Sequence, residues 1–183
     1  MKQIKFIGAV IIVVIMTACG QVKQNNEQIG SPNGWKTFEH KEYSIQFPDS
    51  FEYKTVEKKG AIFILFPKDT SSAYNFRSNI NLIIQDLQGQ DISLNDYVIL
   101  SESQIETMVT NGNLIKSERF NKNNFEFHRL IYTGIQGKLT LKFEQHFTIK
   151  NEKAYILTFT ATEEQFESYK AEKEKIMNSF KIK

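Results

Sequence analysis

The 183-residue chain has one cysteine, three prolines and one tryptophan. A single cysteine cannot close an internal disulfide, which excludes a disulfide scaffold. Three prolines and nine scattered glycines exclude collagen and proline-rich spacers. Charge of one sign is also missing. Met1–Ala18 reads as a removable segment, and losing it takes away Lys2 and Lys5, so the 23 basic residues fall to 21, equal to the 21 acidic ones. A chain this close to neutral lacks the basic stripe of a nucleic-acid binder, and no nucleic acid is expected as partner. The one long apolar run, Phe6–Met16, spans 11 residues, whereas a permanent bilayer-spanning helix needs ~20. Aromatics are plentiful, with 15 Phe and 7 Tyr, which excludes a disordered chain.

What stands at the start is an address. MKQIK supplies two lysines, Phe6–Met16 an apolar core, and Thr17-Ala18 small residues before Cys19. This is the layout of a secretory signal peptide. Met16-Thr17-Ala18-Cys19 resembles the lipobox of bacterial lipoproteins, with Met16 where Leu is usual. In that motif the cysteine takes acyl chains such as palmitate and becomes the new N-terminus. Acyl chains at ~0.8 kcal/mol per buried CH₂ make such an anchor effectively permanent when several are attached. Gly20 is not the aspartate that retains some lipoproteins in an inner membrane. Residues 19–34 hold only Val22 and Ile29 as large apolar side chains and read as a flexible tether. The expected divisions are therefore 1–18 signal peptide, 19–34 lipidated cysteine and tether, and 35–183 a single folded domain.

From Trp35 the pattern alternates with period 2. Trp35–Phe38, Tyr43–Pro48, Phe51–Glu57 and Ser78–Leu87 read as half-buried strands, and Ala61–Phe66, apolar on both faces, reads as a central one. Pro48–Ser50 and Lys58–Gly60 are turns, and 68–77 a polar loop. Ser93 caps a helix, with Asp96 as its capping-box partner and Leu94, Tyr97, Val98, Ile105, Met108 and Val109 as its buried stripe, stopped at Gly112. Four strands follow at 113–121, 125–134, 138–149 and 153–161, as an antiparallel meander with one face buried. Thr162 caps a last helix whose buried stripe is Phe166, Tyr169, Ile176 and Phe180.

The segment YSIQFPDSFEY, the helix near ISLNDYVILSESQIE, the meander and the closing AYILTFTATEEQFESYKAEKEKIMNSFKI together resemble the PsbP-like superfamily, in particular its bacterial lipoprotein branch related to DcrB. The likeness covers about Trp35 to Ile182. It implies an α+β fold, a central antiparallel β-sheet flanked by helices (an α/β/α sandwich). Members include an extrinsic photosystem subunit, a nuclear-transport factor that binds a small GTPase, and chaperone-like adaptors, which implies a binding module and not an enzyme. No metal-binding or partner-binding residue of the photosynthetic branch maps onto this sequence.

Searching the residues for chemistry finds no G-x-S-x-G elbow, P-loop or G-x-G-x-x-G. His40, Asp49 and Ser50 lie close in sequence but belong to a strand end and a turn, a poor basis for a triad. One constellation stands out. If strands 125–134 and 138–149 pair around Gln136, Glu126 faces His146 and His128 faces Glu144, all on one face. Two imidazoles and two carboxylates suit a transition metal. Solvated charge pairs are the preferred reading, because Lys142 shares the face and opposes a cation. No catalytic residue, metal or cofactor is expected, and Cys19 is the one modified site. The expectation is a cell-envelope lipoprotein, anchored to a bacterial membrane through Cys19, with its domain outside the cytoplasm. That domain is read as a non-enzymatic binding or adaptor module with a protein partner. The alternative is a small-ligand or metal-carrying envelope protein.

Overall fold

The computed structural model describes residues 28–30, 34–56, 61–68 and 76–183. The signal segment, Cys19, the Lys58–Gly60 turn and most of the 68–77 loop lie outside the described residues. In chain order the elements are β1 (Gln28–Gly30), β2 (Trp35–Glu39), β3 (Tyr43–Pro48), β4 (Phe51–Thr55), β5 (Ala61–Pro67), β6 (Asn79–Asp86) and α1 (Leu94–Met108). Then come β7 (Asn113–Lys122), β8 (Phe125–Gln136), β9 (Leu139–Lys150), β10 (Lys153–Thr162), α2 (Glu163–Ser168), α3 (Lys170–Ser179) and β11 (Lys181–Ile182).

The strands form two antiparallel sheets, β4-β5-β6-β10-β9-β8-β7 and β1-β2-β3-β11. The fold is α+β, but the expected single central sheet is corrected to two. β1 is a further difference: Gln28 pairs with Phe38 and Gly30 with Lys36, so ordered backbone extends into the segment read as tether.

Alternation along β10 shows why the central strands of the seven-stranded sheet are buried on both faces. Tyr155, Leu157, Phe159 and Ala161 join a cluster with β2, β3, α2, α3 and β11, while Ala154 and Ile156 join another with Tyr97, Val98 and Ile105 of α1. Side chains alternate sides with period 2, so each central strand feeds two cores. The expected meander with one face buried is thereby corrected. Glu144, His146 and Thr148, assigned to a solvated face, are 4%, 5% and 2% exposed.

α1 begins where expected. Ser93 Oγ accepts from the Asp96 backbone N–H, and Asp96 Oδ2 accepts from the Ser93 N–H at 3.0 Å, a closed capping box. Its far end differs. Val109 leaves the helix in extended geometry and packs on Gly134, where a Cβ would sit 2.3 Å from Val109 Cγ1. Met108, expected in the stripe, is 62% exposed as a result. At Gly112 a Cβ would fall 2.0 Å from the Ile105 carbonyl oxygen, so glycine is required there for close approach. The expected single terminal helix is two, α2 and α3, interrupted at Tyr169 (φ −90°, ψ 11°). Thr162 caps α2 through the Gln165 N–H, and Phe166, Ile176 and Phe180 are buried as read.

Candidate functional site: buried charges between sheet and terminal helix

The β8–β9 register decides which titratable side chains meet. β8 and β9 turn at Gly137–Lys138, with Gly137 at φ +62°, and not around Gln136. The pairing slides by three residues, so His146 faces Arg129, and Glu144 faces Ile131. An odd shift moves one strand's side chains to the opposite face. Glu126 and His128 therefore lie on the α1 side, away from Glu144 and His146. The four-residue constellation is not assembled, and the solvated charge pairs are corrected too. Only Glu126 is in solvent, 3.6 Å from Arg119 Nη1.

On the side facing α3, Glu144 is the hub of a dry polar cluster. Its Oε1 accepts from His146 Nε2 at 2.9 Å, and its Oε2 from Lys173 Nζ at 2.6 Å. Arg129 Nη1 stands 3.7 Å from Oε1, and Arg129 also pairs with Glu118. Lys173 comes from α3, 4% exposed, with its ammonium 3.9 Å from the Phe166 ring centroid. From the sheet, Lys122 Nζ reaches back to the Met177 carbonyl at 2.9 Å. Two lysines, one pointing each way, thus hold α3 to the sheet. Lys173 was absent from the sequence reading, yet it falls at helical spacing between Phe166 and Phe180. A lysine on an apolar stripe was the available signal.

Electrostatics follow from burial and partners. Burial alone would raise the Glu144 carboxyl, but the His146 and Lys173 hydrogen bonds outweigh it and hold it at about 2. Burial lowers His146, with the Glu144 carboxylate opposing, and pulls the Lys122 ammonium down to about 8. The neutral His146 donates through Nε2, while its buried Nδ1 has no partner among the described residues. Glu144 is enclosed by the His146, Lys173 and Arg129 donors, which take up both of its oxygens. The arrangement orients a helix.

On the α1 side His128 makes a different contact. Ser117 Oγ donates to Glu102 Oε1 at 2.5 Å and lies 2.7 Å from His128 Nε2. The distance suits a nucleophile–base pair, but the hydroxyl proton is committed to Glu102. His128 Nδ1 has no partner among the described residues, so nothing orients the ring as a base. The chain of bonds ties α1 to β7 and β8. His40, Asp49 and Ser50 are not brought together. β3 separates them by about 20 Å, His40 Nδ1 accepts from the Glu42 N–H at 3.3 Å, and Asp49 pairs with Lys36 at 3.2 Å. Among the described residues no group of three or more His, Cys, Asp or Glu side chains is placed to hold a metal.

Neither a family model nor a curated protein matches the sequence. Solved structures do. The solution structure of the cyanobacterial PsbP (CyanoP) of Synechocystis sp. PCC 6803 matches with TM-score 0.57 at 13% identity, covering 91% of this chain and 98% of its own. Its fold is PsbP-like. LpqN of Mycobacterium tuberculosis, described as involved in cell envelope biogenesis, matches with TM-score 0.57 at 11% identity, over 86% of this chain and 90% of its own. PA94 of Pseudomonas aeruginosa, a protein of unknown function, gives 0.58 at 15% identity over 85% and 96%. At these identities the PsbP-like domain shares architecture with its neighbours, and function has to be argued from the site.

Proposed function

We propose that the protein is a cell-envelope lipoprotein, anchored to a bacterial membrane through acylated Cys19, whose PsbP-like α/β/α domain is a non-enzymatic binding or adaptor module. The observation that carries the anchor is Met16-Thr17-Ala18-Cys19 behind two lysines and an 11-residue apolar run, the arrangement a signal peptidase and an acyltransferase read. No described helix is long and apolar enough to cross a membrane. The binding-module reading draws on the interior: the buried charges engage one another to seat helices, which is scaffold chemistry. LpqN, with the same fold, is connected to envelope biogenesis, which supports an envelope setting.

A small-ligand carrier is the second reading. It is favoured by an open depression of about 600 Å³ lined by Trp35, Gln46, Glu174, Lys175, Asn178 and Ser179. Its metal-carrying form loses its proposed ligands with the β8–β9 register.

Metabolic labelling with a fatty-acid analogue tests the anchor. Cys19→Ser removes the thiol and is expected to abolish the label and release the protein from membranes. Equal label on variant and parent would sink the assignment.

A further inference from the structure

We propose that the depression between β2, β3 and α3 binds a neutral glycan chain, an inference that rests on the ligand-binding reading of that depression and names the ligand class. Two walls build it. On β2 and β3, Phe38, Ile45 and Phe47 enter the core, so alternation puts Trp35, Thr37, Gln46 and Pro48 on the outer face. On α3, Lys173, Ile176 and Met177 are buried. Ala171, Glu174, Lys175 and Asn178, spaced i, i+3, i+4 and i+7, form an exposed stripe. Ser179 Oγ accepts from the Gln46 N–H at 2.8 Å, which fixes one wall against the other.

The lining selects a sugar ring by what it offers. Trp35 packs on the core cluster and also lines the depression, so it is held as a rigid platform. The negative face of an indole attracts the polarised C–H groups of a pyranose. Beside it, Glu174, Lys175 and Asn178 make no hydrogen bond or ion pair among the described residues. Gln46 Nε2 donates to Thr37 Oγ1 at 3.3 Å, which leaves its amide oxygen to accept. A carboxylate, two amides and an ammonium with spare capacity can both accept from and donate to ring hydroxyls.

Charge and shape narrow the class. Glu174 is balanced by Lys175 in the lining, Lys36 pairs with Asp49 at 3.2 Å beside Trp35, and Lys170 stands near Glu172 on the first turn of α3. An ionic ligand therefore finds no field of one sign. A protein hot spot would surround the ring with apolar side chains, whereas Ala171 is the one other apolar residue of the lining among the described residues. The volume of about 600 Å³ falls within the ~300–1,000 Å³ of ligand sites, yet the depression is open and covers a ligand on one side. That suits one ring of a chain whose neighbours continue into water.

Trp35 is the only tryptophan of the chain, so its emission reports on the site directly. The full chain, purified in a detergent without a sugar headgroup, is titrated with N-acetylglucosamine tetramer, with maltotetraose and, as charged control, with inorganic phosphate. A saturable change with one or both sugars, half-complete at or below about 1 mM, is expected, and none with phosphate. Glu174→Ala/Asn178→Ala, both exposed, should raise that midpoint about tenfold or more. Ser103→Ala/Glu106→Ala, on α1 across the sheet, should leave it unchanged. Trp35→Ala, followed by calorimetry, should abolish binding. Equal weakening in both variant pairs would overturn the proposal. A response to phosphate alone refutes the glycan and keeps the ligand site. Sugar binding undiminished in Glu174→Ala/Asn178→Ala and in Trp35→Ala refutes the site, and no response to any of the three probes overturns the ligand-binding reading with it.

Discussion

Glu144 illustrates how much one buried carboxylate constrains its neighbours. It sits 4% exposed among Arg129, His146 and Lys173, and ionised groups leave water favourably only when paired. Lys173→Met is expected to destabilise the fold by about 3–5 kcal/mol, because Glu144 would keep its charge and lose its nearest cation. Urea unfolding measures this. Glu144→Leu/Lys173→Met should recover most of the loss, since an apolar pair of similar volume is often neutral; a loss equal to the sum of the two single losses would show that Glu144 and Lys173 do not couple.

Two buried histidines, one on each face of the sheet, set an acid limit. Burial holds His146 and His128 below the ordinary imidazole value of 6.5, so the unfolded chain binds more protons as pH falls. Their contribution is complete above pH 6.5 and is lost on acidification through the lower folded values. Glu144 adds a second loss between its ordinary value of 4.5 and about 2. His146→Gln keeps an N–H donor for Glu144 and removes the titration. The fall of the thermal midpoint just below pH 6.5 should become shallower, and an unchanged slope would assign the acid sensitivity elsewhere.

At the scale of elements, α2 and α3 show a pattern correct in phase but not in continuity. Phe166 and Phe180 are 4% and 1% exposed, facing the core with Ile176 and Met177. Truncating either ring leaves a cavity, and Phe166→Ala and Phe180→Ala should each cost about 3–5 kcal/mol. Urea midpoints matching the parent would show that the ring is not packed. The two substitutions differ in one respect. Phe166 lies under the Lys173 and Lys142 ammonium groups, so its loss also loosens the Glu144 cluster, while Phe180 lies under Lys122 at 5.7 Å. Coupling with Lys173→Met is therefore expected for Phe166→Ala, beyond simple additivity.

For the whole molecule, β1 adds a short strand ahead of Trp35. A chain starting at Gly34 deletes the three pairings between β1 and β2, although β2 still pairs with β3 along five residues. Compared with a chain starting at Gly20, its thermal midpoint should drop by a few degrees, matching a loss of about 1–2 kcal/mol in net backbone hydrogen bonding. Equal midpoints would make residues 28–30 dispensable and restore the longer tether.

Local patterns determined much of this protein. The capping box at Ser93 and Asp96, the Thr162 cap, the apolar run of β5 and the strand positions of β7 to β10 follow from propensity and periodicity within a few residues of chain. The apolar phase of α2 and α3 was equally readable, because 3.6-residue spacing survives the interruption at Tyr169. The site was not readable, since it depends on register. Placing the β8–β9 turn one to two residues later leaves every strand intact, yet it slides the pairing by three residues and sends His128 and His146 to opposite faces, because side chains alternate with period 2. Burial of Glu144, His146 and Lys173 was likewise invisible along the chain. A polar strand face reads as solvated until another element covers it, and only the packing of α3 over β9 removed the water and made those charges partners.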